Sequence, residues 1–256
     1  MGEWIERFSL QGRTALITGA SKGIGFEICR VFADAGADIV ATARDEEGLR
    51  KVASSVQDYG RRCHTYICDL ADPQAIANLG SEVRDEVGHI DILVNNAGTA
   101  RVAPAQDLTL EDWDITMAVN LRAPFLLAQQ FAPSMRDRKW GKIVNISSQA
   151  GVIALDEHAA YSASKAGLNA LTRGLMVEWA KHNIQVNSIC PTIILTEMGK
   201  KVWGQEEKGG PMLAKTPLGR FGETVEVADM ALYLASSASA LVNGETLMIE
   251  GGFSAI

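Results

Sequence analysis

The chain has 256 residues, of which 47% are hydrophobic and 21% charged, and its net charge is −7. Those values suit a folded soluble protein with a large core. Without a basic run they argue against a nucleic-acid surface, and without an apolar run of about 18 residues they exclude a helical membrane span. The opening residues mix Glu3, Glu6 and Arg7 with Trp4 and Ile5. They lack the apolar core of a signal peptide, so a cytoplasmic location is expected. The four cysteines, Cys29, Cys63, Cys68 and Cys190, form no C-x-x-C pair. They are expected to be reduced and packed as small apolar side chains, with no zinc or other metal site.

Arg13 to Thr18 is a short apolar, β-branched run and reads as a buried strand. It leads into Gly19-Ala20-Ser21-Lys22-Gly23-Ile24-Gly25, and a helical pattern follows from Phe26 to Gly36. Strand, glycine turn and helix form the context of a dinucleotide site. The glycines let backbone approach a pyrophosphate, and the helix N-terminus offers free N–H groups. The spacing here is G-x-x-x-G-x-G. A second strand, Asp38 to Ala43, ends where an adenosine ribose would lie, and Arg44 follows it. A carboxylate there would bind a free 2′-hydroxyl, whereas arginine pairs with a 2′-phosphate. Arg44, helped by Lys22, therefore favours NADP(H), with NAD(H) as the alternative. The acids Asp45, Glu46 and Glu47 weigh against a phosphate site.

Cys63 to Cys68 is a third strand, ending at Asp69-Leu70, and Pro73 opens a helix to about Gly88. The fourth strand, Ile90 to Val94, runs into Asn95-Asn96-Ala97-Gly98. A long helix is expected from about Glu111 to Asp137. Asn120 lies in its middle, either as a tolerated surface residue or as a kink. Pro124 removes a helical hydrogen bond and favours the kink. Lys142 to Ile146 is the fifth strand, ending at Ser147-Ser148, and Ile184 to Ile189 is the sixth. From Pro191 to about Phe221 the pattern is weak, with Pro211, Pro217 and the charged run Gln205-Glu206-Glu207-Lys208. This segment reads as a mobile lid. Thr224 is a good N-cap for a helix reaching Ala235, and Thr246 to Ile249 is the last strand. Strands and helices alternate throughout, which predicts a single α/β domain over residues 1–256. Its sheet is doubly wound (Rossmann-type) and parallel.

Between the fifth and sixth strands lies Tyr161-Ser162-Ala163-Ser164-Lys165. On a helix, residues four apart share a face. A phenol with pKa near ~10 is a poor base at neutral pH, and a nearby ammonium lowers that value. Such a pair can make tyrosine a proton donor and acceptor. His158, three residues earlier, shares the face and is expected at the rim.

Taken together, Thr18 to Gly25, Asn95-Asn96-Ala97-Gly98, Asn120, Ser148 and Tyr161-x-x-x-Lys165 resemble the short-chain dehydrogenase/reductase family. The resemblance runs from about Leu10 to Gly252. It implies a seven-stranded sheet holding a nicotinamide dinucleotide. It implies a catalytic set of Asn120, Ser148, Tyr161 and Lys165. Tyr161 would carry the proton, and Lys165 would lower its pKa and hold the ribose. Ser148, thirteen before Tyr161, would bind the substrate oxygen, and Asn120 would position a water. The cofactor set it implies is Gly19, Ser21, Lys22, Gly23, Ile24, Gly25, Arg44, Asp69, Leu70, Asn96, Ala97, Gly98, Tyr161, Lys165, Pro191, Ile194 and Thr196.

One departure is Pro191-Thr192, where the family usually has Pro-Gly. The run from Pro191 to Lys201 is similar to that of the family's xylulose reductases and polyol dehydrogenases. This implies a small ketose or polyol as substrate. A 3-oxoacyl thioester or another ketone remains an alternative, as does a cofactor sensor without turnover. A homotetramer is the usual assembly of the family.

Overall fold

Aliphatic and β-branched runs pack well on a pleated surface covered on both sides, and they form the strands here. The computed structural model describes residues 2–203 and 206–255. Met1, Gly204, Gln205 and Ile256 lie outside the described residues, and with them Gln205 of the charged run. The strands are β1 (Thr14–Thr18), β2 (Asp38–Ala43), β3 (Cys63–Ile67), β4 (Ile92–Asn95), β5 (Gly141–Ile146), β6 (Ile184–Pro191) and β7 (Thr246–Ile249). They form one parallel sheet in the order β3-β2-β1-β4-β5-β6-β7. The order reverses between β1 and β4, so the crevice at their C-terminal ends is where a doubly wound fold binds ligands.

Ten α-helices flank the sheet among the described residues: α1 (Glu3–Phe8), α2 (Gly23–Asp34), α3 (Glu46–Gln57), α4 (Pro73–Glu86), α5 (Leu110–Met117), α6 (Ala123–Arg138), α7 (Ala159–Trp179), α8 (Glu197–Trp203), α9 (Glu206–Ala214) and α10 (Thr224–Ala235). Successive strand residues point to opposite faces. Ile17 and Ile39 pack with Phe32 of α2 and Leu234 of α10. Leu16 and Val40 face the other way, toward Leu79 of α4 and Phe131 of α6.

The expected long helix is divided. Ala118–Arg122 forms a π-helical turn between α5 and α6. Asn120 is fully buried within it, and Pro124, in the first turn of α6, has no N–H to give to the Asn120 carbonyl four residues before it. The kink reading holds and the surface reading does not. Glu223, rather than Thr224, caps α10, and its N–H donates to the Glu226 carboxylate at 2.8 Å. The weakly patterned segment after Pro191 contains α8 and α9. The short α1 had no counterpart in the sequence pattern. The Ser237 hydroxyl donates to the Arg7 carbonyl at its C-terminal end.

Lys142 is 2% exposed, and its Nζ donates to the Ser239 hydroxyl at 3.0 Å. Burial pulls its pKa down to about 8. The fold tolerates the neutral amine and disfavours the ammonium, so the site costs stability wherever the lysine is charged. A drop of this size corresponds to about 3 kcal/mol. Lys142→Met keeps the aliphatic volume. Ser239 keeps its bonds to the Leu234 and Ser236 carbonyls. The unfolded lysine holds its proton to about pH 10.4, so the parent recovers stability between about pH 8 and that value. Denaturant unfolding of Lys142→Met is expected to show a gain over the parent below pH 8. The gain shrinks as pH rises toward 10, and a pH-independent difference would contradict this account.

Candidate active site

The glycine turn between β1 and α2 is locked from below. The Thr18 hydroxyl accepts from the N–H groups of Asn96 and Ala97, both at 3.0 Å. Asn96 Nδ2 donates to the carbonyls of Thr18 and Gly19, at 2.8 and 3.2 Å. Gly19 has φ +63°, the left-handed region glycine tolerates. A Cβ on Gly25 would collide with Asn96 Nδ2 and the Gly19 carbonyl. Asn96 thus acts on the turn, and through it on anything the turn holds. Lys22 sits at the N-cap of α2 and makes no capping hydrogen bond. The first-turn N–H groups of α2 are therefore left without a side-chain acceptor, as a pyrophosphate site requires.

The strand ends bring the remaining residues in. A cleft of about 360 Å³ is lined by Ile24, Asn96 and Gly98 on the β1–β4 side, by Ser148, Tyr161 and Lys165 on the β5–α7 side, and by Pro191, Ile194 and Thr196 after β6. Thr99, Ala100 and Ile146 also line it, none of them expected as a site residue, and so does Thr192, noted in the sequence only as a departure from the family pattern. Ser147, expected as structural or substrate-adjacent, lines it too, and its hydroxyl donates to the Lys165 carbonyl. Gly19, Ser21, Lys22, Gly23, Gly25 and Ala97 belong to the neighbouring turns. Arg44 is exposed just after β2. Asp69 and Leu70 follow β3, with Asp69 Oδ1 accepting from the Ala71 N–H at 3.0 Å. The His158 ring stands edge-on to that of Tyr161, with centroids 6.0 Å apart.

Lys165 is 3% exposed, and its Nζ donates to the Ile146 carbonyl at 2.7 Å. Nζ lies 5.8 Å from the centre of the Tyr161 ring. Burial lowers the lysine to about 8. Burial also raises the Tyr161 phenol, and a hydrogen bond with Ser148 works in the opposite direction. This corrects the sequence expectation. In the protein by itself, desolvation outweighs any lowering of the phenol by the nearby amine.

Asn120 is fastened to the loop after β4 and to α7. Its Oδ1 accepts from the Thr99 N–H, and its Nδ2 donates to the Thr99 carbonyl, both at 2.8 Å. Nδ2 also donates to the Ser164 hydroxyl at 3.0 Å. Both polar atoms of the side chain thus have protein partners.

A polar rung supports the whole arrangement. Asn95, Asn145 and Ser188 are cross-strand neighbours on β4, β5 and β6. Asn95 Nδ2 donates to Asn145 Oδ1 at 2.8 Å. Asn145 Nδ2 donates to the Thr172 hydroxyl at 2.9 Å, and that hydroxyl lies 2.7 Å from Ser188 Oγ. Thr172 lies on α7, about two turns beyond Lys165. Among the described residues there is no cluster of three or more metal-ligating side chains, and all four cysteines are free.

A family model described as enoyl-(acyl carrier protein) reductase matches residues 19–254. The chain belongs to the short-chain dehydrogenase/reductase family. It is 42% identical to an NAD-dependent glycerol dehydrogenase of Listeria innocua, over 96% of this chain and 95% of that one. It is 41% identical to an L-xylulose reductase of Caenorhabditis elegans, over 96% and 98%. Among solved structures it resembles a gluconate 5-dehydrogenase of Burkholderia cenocepacia in complex with NADP and tartrate. That match has TM-score 0.94 and 38% identity, covering 99% and 100% of the two chains. The chain is accordingly an oxidoreductase that moves a hydride between a nicotinamide cofactor and a carbonyl or secondary alcohol.

The packing at Gly25 yields a test. Gly25→Ala must displace the Asn96 amide or the Gly19 carbonyl. NADPH affinity, read by fluorescence titration, is expected to fall by about tenfold or more, or about 1.4 kcal/mol. Far-UV circular dichroism is expected to be unchanged. Parental affinity would mean that the turn does not form the cofactor cradle.

Proposed function

We propose that this enzyme interconverts a small ketose and its polyol with NADP(H), and that Tyr161 carries the proton. The observation that carries the reading is the meeting of Ser148, Tyr161 and buried Lys165 in one cleft beside the glycine turn. Bound there, the nicotinamide supplies or accepts the hydride. Tyr161 gives its proton to the substrate oxygen in reduction and takes it back in oxidation. Ser148 donates to the same oxygen and stabilises the charge that develops on it. Lys165 holds the ribose hydroxyls, and its charge favours the phenolate. Asp69 and Leu70 lie toward the adenine, and Ile194 and Thr196 toward the carboxamide and pyrophosphate. Turnover of Tyr161→Phe is expected to fall by about 10² or more, with NADPH affinity retained. Near-parental turnover would end the assignment.

For the cofactor, the support comes from charge. Arg44 and Lys22 are exposed, and among the described residues neither is in an ion pair. The acids beside Arg44 are engaged within α3. Glu46 pairs with Arg50 at 3.0 Å and Glu47 with Lys51 at 2.8 Å, while Asp45 accepts from the Gly48 N–H. The gluconate 5-dehydrogenase structure holds NADP; the glycerol dehydrogenase relative uses NAD. Arg44→Ala is expected to raise the KM for NADPH about tenfold and leave that for NADH within twofold, as the loss of one charge-assisted contact would do. A parent that prefers NADH would overturn the preference.

For the substrate, the cleft is small, and hydroxyl-bearing residues, Thr99, Ser148 and Thr192, are among those that line it. A short polyhydroxylated molecule matches both properties, and both named relatives act on such compounds. Pro191, Thr192, Ile194 and Thr196 of the segment over residues 191–221 line the cleft, which supports reading that segment, with α8 and α9, as its lid. The family model's description names an acyl thioester as substrate, and the second reading takes that class, as a 3-oxoacyl thioester reductase. A panel of ketoses, polyols, diketones and 3-oxoacyl thioesters with both cofactors separates the two. No turnover with any of them would favour a cofactor sensor. The exposed face of α7, with Ala163, Ala166, Ala170, Gly174 and Val177, lets a second copy approach closely and supports the homotetramer. Sedimentation velocity tests the assembly.

A further inference from the structure

Ser164 lies inside the tyrosine–lysine segment, yet none of the roles above uses it. It is 0% exposed. Its hydroxyl donates to the Tyr161 carbonyl at 2.7 Å and accepts from Asn120 Nδ2 at 3.0 Å. The direction of each bond is fixed. Asn120 Oδ1 accepts from the Thr99 N–H, so its nitrogen must face Ser164. A serine hydroxyl has one hydrogen, and the Tyr161 carbonyl can only accept it.

The chain therefore runs from Thr99 through Asn120 and Ser164 to the peptide of Tyr161. Thr99 is in the wall of the cleft after β4, Asn120 is in the π-helical turn, and Tyr161 is in the first turn of α7. In an α-helix the Tyr161 carbonyl is also the acceptor for the Lys165 N–H. One hydroxyl thus bears on the peptide group shared by both members of the pair.

We infer that Ser164 is a positioning residue, a joint through which the π-helical turn sets the angle at which Tyr161 enters the cleft. The inference rests on the reading of Tyr161 as the proton carrier. It explains why a residue of modest helix propensity is buried in the helix beside that tyrosine. A hydroxyl at this point can take a hydrogen bond from one element and give one to another. Alanine would leave the Asn120 nitrogen with one partner fewer in a buried place. It would also leave the Tyr161 carbonyl without the Ser164 hydrogen bond, held by the helix backbone bond alone.

The test is Ser164→Ala, assayed with NADPH and L-xylulose or the fastest substrate of the panel. The expected result is a fall in kcat of about tenfold, with the NADPH dissociation constant within twofold of the parent, because a misaligned group costs rate more than binding. Ser164→Cys keeps a weak donor and acceptor at similar size and is expected to recover part of the rate. In an Asn120→Ala background, Ser164→Ala is expected to cost less than twofold, since the joint is already open. Parental kcat in Ser164→Ala, or a full tenfold cost in the Asn120→Ala background, would overturn the inference. So would a loss confined to thermal stability. Should Ser164→Ala fail to fold, parental kcat of Ser164→Cys in both backgrounds overturns it instead. The underlying reading fails separately, through an active Tyr161→Phe.

Discussion

A buried ammonium governs the active end of this sheet. Lys165 is out of water, and the Ile146 carbonyl accepts a hydrogen bond from it. An ammonium so placed is costly unless its bonds are well made. The last turn of β5 and the second turn of α7 must therefore keep a fixed offset. Gly151 makes this achievable. A Cβ there would lie 2.8 Å from the Lys165 carbonyl carbon and 3.0 Å from the Ala166 nitrogen. Without one, the segment that follows Ser148 presses directly onto the backbone of α7. The serine, the tyrosine and the lysine converge because a glycine gives up its side chain.

The polar rung beneath them works in the same direction. Asn95, Asn145, Thr172 and Ser188 are all 4% exposed or less. Aliphatic residues in their place would give a more oily core, but one with no preferred offset between helix and sheet. Hydrogen bonds have direction and dispersion contacts largely do not. A rung of four polar groups therefore allows one seating of α7 and penalises its neighbours by leaving donors unmet. Among the described residues Asn95 Oδ1 has no hydrogen-bond partner.

Much of this was legible in the chain. The strands stood out because runs such as Leu16-Ile17 and Val40-Ala41 are apolar on both faces, which a sheet covered on both sides demands. The glycine turn, Asn96, Ser148, Tyr161 and Lys165 fell at strand ends and on one helical face, where spacing alone places them. Other features depend on distant partners and leave no local trace. Nothing near Asn120 announces that its amide is consumed by Thr99 and Ser164. Nothing near Lys142 marks it as buried, since lysine is usually at the surface. The phenol of Tyr161 was expected to be lowered, because the sequence reveals the amine one turn away but not the depth of burial. The Ser164 position was visible in the pattern, three residues after Tyr161. Its meaning required the π-helical turn to be seen beside it.

The fastenings of the tyrosine named above all come from residues before the segment that follows β6. Thr99, Asn120, Ile146, Ser148 and Gly151 hold α7, and none belongs to the segment of 192–221 that carries α8 and α9. The far wall of the cleft can therefore be rebuilt without retuning the proton-handling side. A lineage built this way could exchange one sugar for another by redrawing thirty residues, while the chemistry is inherited intact.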